Sequence, residues 1–202
     1  MTELPRDFVA QQIRDSISVQ QSMLADSGLI AEIERVAELI VNTYRSGGKV
    51  LIAGNGGSAA DSQHIAAELV SRFSMERPAL PAMALTTDTS IMTAISNDYG
   101  YDSLFSRQLE ASARPGDVFL AISTSGNSPN ILRALESARE LGVISVGMTG
   151  ATGGGMAALC RHCLKIPATA TPRIQEGHAT IGHILCASTE RALFADDRPA
   201  DT

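Results

Sequence analysis

A histidine and a glutamate, His64 and Glu68, stand four residues apart in a segment that the sequence predicts to be helical. That spacing places both side chains on one face of the helix, about one turn apart. The helix follows the glycine-rich turn Gly54–Gly57, where the backbone needs positive φ or approaches another group closely. A paired imidazole and carboxylate beside such a turn indicate acid–base chemistry on a phosphorylated small molecule.

The elements around this turn predict an anion site. Lys49–Ala53 is a short apolar run typical of a buried parallel strand. Ser58 is predicted to open the helix, with Asp61 three residues on as the acid of a capping box. Strand, glycine turn and helix N-terminus together present free backbone N–H groups and the positive end of the helix dipole to an anion.

Two common phosphate loops fit this turn poorly. A Walker A loop ends in Gly-Lys-Ser/Thr, whereas Ser58 and Ala59 follow the last glycine here. A dinucleotide fingerprint needs G-x-G-x-x-G, and Ala59 occupies the third glycine position. The acidic residue that nicotinamide dinucleotide binding requires about 20 residues later is not convincingly placed.

A second polar loop follows the apolar run Val118–Ile122, which predicts another strand. The loop carries four hydroxyls within six residues, and Pro129 suits the first position of the next helix, with Ser128 as its N-cap. Hydroxyls at a helix N-terminus bind phosphate without a fixed cation. The alternative is a capped helix after a polar turn. The hydroxyl-bearing residues are Ser123, Thr124, Ser125 and Ser128.

The last predicted helix, residues 173–194, carries Gln175, His178 and His183. On a helical wheel Gln175 and His183 are separated by roughly 80°, whereas His178 and His183 are roughly 140° apart. Gln175 and His183 therefore point toward one site, and His178 is predicted to lie outside it.

Strand-like and helix-like segments alternate along the chain, which predicts an α/β fold with a doubly wound, five-stranded parallel sheet and helices on both faces. The strands are expected at 49–53, 82–86, 118–122, 143–148 and 163–166. A helix pair at 6–24 and 30–46 precedes them. We expect residues 1–46 to pack on the domain and in an oligomer, 47–195 to form the domain, and 196–202 to be a disordered tail. Both polar loops fall at carboxyl ends of strands, where such sheets bind ligands.

Composition excludes several classes of function. With 202 residues, a net charge of −6, 4% aromatic residues and no Trp, the chain does not suit nucleic-acid binding. Residues 1–9 lack the apolar core of a signal peptide, and no apolar run is long enough to span a membrane, so we expect a cytoplasmic protein. The three cysteines, Cys160, Cys163 and Cys186, form no disulfide framework, and the CxxC at 160–163 lacks the second pair of a structural zinc site.

These features together resemble the sugar isomerase (SIS) domain family and, within it, the bacterial phosphoheptose isomerases. The resemblance covers nearly the whole chain. It rests on GNGGSAAD at 54–61, QHIAAEL at 63–69, TTDTS at 86–90, SNDYG at 96–100, STSGNS at 123–128, RIQEGH at 173–178 and GHI at 182–184.

The resemblance implies a flavodoxin-like three-layer sandwich and the interconversion of sedoheptulose 7-phosphate and D-glycero-D-manno-heptose 7-phosphate. That reaction is the entry to heptose for lipopolysaccharide, S-layer or capsule. Such enzymes assemble as homotetramers with sites built between subunits. Aldose–ketose isomerisation needs a base for a carbon-bound proton and an acid for the oxygens, and Glu and His are suitable for these tasks.

The resemblance also implies a role for each site residue. The phosphate ligands would be Ser123, Thr124, Ser125 and Ser128. The sugar would contact Asn55, Gly56, Gly57, Asn97 and Asp98, together with Glu68 and Gln175. One zinc ion per subunit would be held by His64, Glu68, Gln175 and His183. Glu68 and His183 would be the acid–base pair, although a zinc-bound carboxylate is a weaker base.

Two non-enzymatic alternatives share the domain. One close relative binds the bacterial replication initiator without known catalysis, and it lacks the matching His and Glu of the first site helix. Their presence here as His64 and Glu68, with His183, favours the enzyme. A sugar-phosphate-sensing regulator is disfavoured because no DNA-binding segment precedes the domain in this sequence.

Overall fold

A computed structural model of the chain describes residues 6–195 and contains one five-stranded, wholly parallel sheet in the order β2-β1-β3-β4-β5. The strands are β1 (Val50–Gly54), β2 (Ala82–Ala84), β3 (Val118–Ile122), β4 (Ile144–Thr149) and β5 (His162–Lys165). The doubly wound α/β sheet predicted from the sequence is therefore confirmed. The predicted tail at 196–202 lies outside the described residues.

Eight α-helices and one 3₁₀ turn connect the strands within residues 6–195. The helices are α1 (Phe8–Ala25), α2 (Ser27–Arg45), α3 (Gly57–Val70), α4 (Thr89–Tyr99), α5 (Leu104–Ser112), α6 (Pro129–Glu140), α7 (Met156–Leu159) and α8 (Thr171–Phe194). The 3₁₀ turn, Tyr101–Ser103, joins α4 to α5.

The sheet separates two apolar cores because alternate residues of each strand point to opposite faces. Val50 and Ile52 of β1 face the core made with α2, α3 and α8. Leu51 and Ala53 of the same strand face the core made with α5 and α6. All five residues of β1 and of β3 are buried, as expected for strands covered on both sides.

The leading helix pair differs in burial between its two members. Helix α2 packs on α8 and buries an apolar face that includes Ile33, Val36 and Ile40. Its N-terminus is capped by Asp26, whose Oδ1 accepts a hydrogen bond from Leu29 N at 3.0 Å. Helix α1 buries only Met23. Helix α2 is therefore an integral part of one core, whereas α1 is peripheral in the described chain.

Several local predictions were wrong in detail. Helix α3 begins at Gly57 with Gly56 as its N-cap, and no side chain caps it, so the predicted Ser58–Asp61 capping box does not form. Ser58 is buried inside the helix, where its carbonyl accepts the Ser62 hydroxyl at 2.7 Å. Ser128 stands at the N-cap of α6, but its hydroxyl contacts Ser123 instead of capping the helix. Strands β2 and β5 are shifted or shortened by one or two residues.

The cysteines are free thiols in the described chain, with Cys160 and Cys163 half-buried and Cys186 buried. Burial, with the neighbouring Cys163 thiol as a smaller cause, raises the pKa of Cys160 to about 12. No helix within residues 6–195 is long and apolar enough to cross a membrane.

Candidate active site

The candidate site lies where the strand order reverses. From β1 the chain crosses to β2 on one side, and β3 pairs with β1 on the other, so the carboxyl ends of β1 and β3 border the crevice of a doubly wound sheet. The glycine turn Gly54–Gly57 follows β1, and the hydroxyl loop Ser123–Ser128 follows β3. Topology therefore brings the two predicted anion loops to neighbouring strand ends.

The glycine turn approaches helix α8. Gly56 adopts φ +58°, which favours glycine, and Gly57 begins α3 beside the side chain of Gln175. A Cβ on Gly57 would overlap the Gln175 amide nitrogen. Helix α8 thus places Gln175 against the exposed N-terminus of α3, within the candidate site.

Helices α3 and α8 bring two imidazoles into contact. His64 Nε2 and His183 Nε2 are 2.8 Å apart, and Glu68 Oε1 lies 3.7 Å from His64 Nε2. One of the two facing nitrogens must lack its proton, because two N–H groups cannot share one hydrogen bond. Half of the His64 side chain is exposed, His183 is exposed, and Glu68 is half-buried, so the cluster opens to solvent.

Gln175 does not join this cluster in the structure. It precedes His183 by eight residues, about 12 Å along the helix axis, and it contacts Gly57 rather than the imidazoles. Among residues 6–195, no group of three or more His, Cys, Asp and Glu side chains is arranged as a metal site. Two of the four predicted zinc ligands are therefore in direct contact, Glu68 is adjacent, and Gln175 is at the other end of the α3–α8 contact.

Asp61 joins the site as a residue whose role the sequence did not reveal. It lies three residues before His64 on α3, and its Oδ2 is buried without a hydrogen-bond partner in the described chain. Burial raises the pKa of this carboxyl, and the nearby His64 opposes that shift. The spacing Asp61-x-x-His64 was the available signal, but it was interpreted as helix capping.

Side chains of the hydroxyl loop Ser123–Ser128 contact one another. Ser123 Oγ lies 2.9 Å from Ser128 Oγ and 3.5 Å from Ser125 Oγ, and Ser125 Oγ accepts a hydrogen bond from Asn127 N at 3.1 Å. Ser123 is buried, whereas Thr124 and Ser128 are half-buried and Ser125 is exposed. The loop therefore presents a cluster of hydroxyls ahead of the α6 N-terminus, an arrangement that suits a phosphate.

Asn97 and Asp98 occupy a different surface. They lie in the last turn of α4 rather than in a loop, both are exposed, and Asn97 Nδ2 donates to Asp98 Oδ1 at 2.8 Å. Asp98 lines a groove of about 590 Å³ between α4 and α5, together with Tyr99 and Arg107. None of the residues lining that groove belongs to the glycine turn, the hydroxyl loop or the histidine pair. The structure does not bring these two predicted sugar contacts to the imidazoles.

His178 is separated from the site, as the helical wheel indicated. It is completely buried, whereas His183 is exposed on the same helix. Burial lowers the pKa of His178 to about 4, and the nearby backbone of Thr149 opposes the shift. No partner satisfies strict hydrogen-bond geometry at its ring nitrogens.

A buried ion pair, Arg77–Glu190, lies next to the end of α3 that carries Glu68. Arg77 Nε lies 3.0 Å from Glu190 Oε1, and both side chains are 1% exposed. Arg77 also donates to the carbonyls of Glu68 and Leu69 at 2.8 and 2.9 Å. Glu190 in turn accepts hydrogen bonds from the backbone of Phe73, whose ring centroid lies 5.6 Å from that of His183.

The hydrogen bonds to Glu190 outweigh its burial. Burial alone would raise the pKa of this carboxyl. The backbone and hydroxyl of Ser74, with the backbone of Phe73 and Met75, stabilise the ionised form and lower the pKa to about 2. This role could not be inferred from the sequence, since these donors lie more than 100 residues away from Glu190 along the chain.

Comparison with known proteins identifies the family. The SIS domain model matches residues 14–150. The chain belongs to the SIS domain family. The phosphoheptose isomerase of Aneurinibacillus thermoaerophilus is 59% identical over 188 residues, covering 93% of this chain and 95% of that protein.

Two solved structures agree with this assignment. The phosphoheptose isomerase from Neisseria gonorrhoeae matches with a TM-score of 0.86 and 41% identity, over 92% of this chain and 98% of that chain. The enzyme from Francisella tularensis matches with a TM-score of 0.88 and 36% identity, over 95% and 100%. The SIS fold and the family resemblance expected from the motifs are confirmed.

Proposed function

We propose that this chain interconverts sedoheptulose 7-phosphate and D-glycero-D-manno-heptose 7-phosphate through an enediol. The single structural observation that carries the proposal is the course of helix α3, which begins at the glycine turn beside the hydroxyl loop and carries His64 and Glu68 to His183 of α8. The protein is an aldose–ketose isomerase, in keeping with its identity of 59% and 54% to two phosphoheptose isomerases over nine-tenths of the chain.

The acid–base roles follow from the needs of the reaction. Glu68 takes the proton from C1 of the ketose and returns it to C2, and the C1–C2 double bond of the enediol exists between these two transfers. His183 donates a proton to the C2 oxygen as the carbonyl is lost and accepts the proton of the C1 hydroxyl as the aldehyde forms. The contact with His64 orients the His183 ring.

Substrate binding divides between the two loops. The phosphate is held by the loop hydroxyls Ser123, Thr124, Ser125 and Ser128, with the α6 N-terminus behind them. Asn55, Gly56 and Gly57 contact the sugar chain beside Gln175. Asn97 and Asp98 complete the sugar site in this proposal, which requires the Asp98 side chain to turn away from the outer groove.

We also propose one zinc ion per subunit, held by His64, Glu68, Gln175 and His183. The donor chemistry of His64, Glu68 and His183 fits, because imidazole nitrogens and carboxylate oxygens are common zinc ligands, whereas Gln175 would have to leave its contact with Gly57 to join them. His64 and His183 already face each other through their Nε2 atoms, with Glu68 adjacent, so these three side chains would hold the ion between α3 and α8. When bound, the metal would polarise the substrate carbonyl.

A homotetramer with sites between subunits is part of the proposal. Helix α1 leaves Phe8, Val9, Ile13 and Ile17 exposed, with Val9 at 65%, and the last three recur at four-residue spacing along the helix. A monomer of full activity, measured by light scattering at assay concentration, would contradict this assembly. The proposed place of action is the cytoplasm, in heptose synthesis for lipopolysaccharide, S-layer or capsule.

The decisive experiment is a coupled assay. Purified protein is given sedoheptulose 7-phosphate, and a heptose 7-phosphate kinase consumes the product. We expect turnover that depends on both proteins. The alternative, a non-catalytic protein that binds the bacterial replication initiator, predicts no turnover and a direct interaction with that initiator.

The phosphate site has its own test. Changing Ser123 and Ser125 together to Ala should weaken binding of inorganic phosphate measured by calorimetry, because two hydroxyl ligands are removed. Ser112→Ala, at the end of α5, is the control. Unchanged phosphate affinity in the double variant would assign the anion to another part of the crevice.

A further inference from the structure

The Asn55 side chain is hydrogen-bonded to two other side chains, Asn130 and Tyr101, which have no role in the proposed reaction so far. Its Nδ2 donates to Asn130 Oδ1 at 2.9 Å, and Asn130 Nδ2 donates back to Asn55 Oδ1 at 2.9 Å. The hydroxyl of Tyr101 donates to the same Asn55 Oδ1 at 3.0 Å. Asn55 therefore makes three side-chain hydrogen bonds before any substrate arrives.

These bonds determine what Asn55 can offer a ligand. A primary amide has two N–H donors and an oxygen with two acceptor positions. Both acceptor positions of Asn55 Oδ1 are taken by Asn130 and Tyr101, and one N–H is taken by Asn130. One N–H remains. Asn55 is thus restricted to donating one hydrogen bond and cannot accept one from a sugar hydroxyl.

The amide pair also joins the two loops of the site. Asn55 follows β1, and Asn130 is the second residue of α6, directly after the hydroxyl loop. Asn130 is only 1% exposed, so leaving its amide unpaired would carry the desolvation cost of a buried polar group. The pair therefore fixes the glycine turn relative to the hydroxyl loop.

We infer that Asn130 and Tyr101 are positioning residues that hold the Asn55 amide as a single hydrogen-bond donor to an oxygen of the sugar chain. This inference rests on the proposed function, in which Asn55 contacts the sugar and the hydroxyl loop binds the phosphate. Tyr101 acts on the substrate only through Asn55.

Tyr101→Phe is the sharpest variant, because the ring is half-exposed and only one hydroxyl is lost. Loss of one hydrogen bond should lower kcat/KM for sedoheptulose 7-phosphate by about 2- to 10-fold. Affinity for inorganic phosphate should be unchanged, since the hydroxyl loop is intact. Tyr99→Phe is the matched control, because its ring is similarly exposed and lies under Arg107 in the outer groove.

A double-mutant cycle separates positioning from a general structural effect. In an Asn55→Ala background, Tyr101→Phe should cause no further loss in kcat/KM, because the group it positions is gone. An equal loss in both backgrounds, or no loss with Tyr101→Phe alone, would overturn the inference. A parallel fall in phosphate affinity would also overturn it, because it would indicate distortion of the whole site.

The hydrogen-bond arrangement can be tested without activity. In urea unfolding, Asn55→Ala and Asn130→Ala should be non-additive, because either change removes the same reciprocal pair. Additive effects would contradict the pairing. If wild-type protein shows no isomerase turnover but this coupling is present, the proposed function fails and the amide arrangement stands.

Discussion

Two glutamates on the α3–α8 helix pair, Glu68 and Glu190, have opposite surroundings. Glu190 is buried and accepts hydrogen bonds from three backbone N–H groups, the Ser74 hydroxyl and Arg77. Glu68 is half-buried and has one nearby partner, His64, at 3.7 Å. A carboxylate with all its acceptor positions filled holds structure in place, whereas one with free positions can take a proton or bind a ligand.

The two glutamates are nevertheless connected. Arg77 bridges from the Glu190 carboxylate to the backbone carbonyl of Glu68, and the backbone of Phe73 bonds Glu190 while its ring lies beside His183. The hydrogen-bonded group around Glu190 and Arg77 thereby fixes the end of α3 from which Glu68 projects. The Glu68 side chain can stay open to solvent because the buried Arg77–Glu190 pair, and not Glu68, holds the end of α3 in place.

The largest expected effect is on catalysis at Glu68. Glu68→Gln keeps the side chain's shape and an oxygen but loses the base, so turnover should fall by about 10²- to 10⁴-fold. Stability should change little, since Glu68 makes no buried hydrogen bond. Glu34→Gln, exposed on α2, is the control. Turnover near that of wild type, measured in the coupled assay, would remove Glu68 from the base role.

Glu190→Gln should show the reverse pattern, with its main effect on stability. Removing one charge of a buried pair leaves Arg77 uncompensated and should cost about 3 kcal/mol in the free energy of unfolding. Urea unfolding at neutral pH measures this loss. Full stability together with a large fall in turnover would show that the two glutamates had been assigned the wrong way round.

The lowered pKa of Glu190 leads us to predict that the free energy of unfolding depends on pH. The pKa of this carboxylate is lowered in the folded state to about 2, so its contribution to stability is fully present above pH 4.5 and is lost as the pH falls toward 2. The loss amounts to about 3 kcal/mol at 1.36 kcal/mol per pKa unit. In Glu190→Gln this part of the acid slope should be absent. Identical slopes in the two proteins would refute the assignment.

Much of this arrangement could be predicted from the sequence because it depends on local patterns. Apolar runs followed by polar turns predicted the strands, and parallel βαβ topology then required the glycine turn and the hydroxyl loop to end at one edge of the sheet. The 100° rotation per residue correctly separated His178 from His183. These inferences need only the period of an element and the direction of its connections.

What the sequence could not predict depends on contacts between distant segments. The helical wheel gives the direction of Gln175 but ignores its axial distance from His183, and the structure places that amide against Gly57. Asp61 was interpreted as a capping residue because its buried, unpartnered oxygen depends on the packing around α3. Asp98 faces an outer groove, and Asn97 donates a hydrogen bond to it, because α4 continues one turn further than the Asn-Asp motif suggested.

The smallest expected effect is that of His178 on zinc binding, and His183 on the same helix is its comparison. His183→Asn removes a nitrogen that faces His64, and it should lower both zinc stoichiometry, measured by elemental analysis, and turnover. His178→Asn lies in the core, so it should lower stability by about 1 to 3 kcal/mol while zinc stoichiometry stays at the wild-type value. The reason is geometric, since His178 is fully buried on the other side of the helix. A folded His178 variant that loses zinc as completely as the His183 variant would require a site that reaches through α8, and the model of an open His64–Glu68–His183 cluster would be wrong.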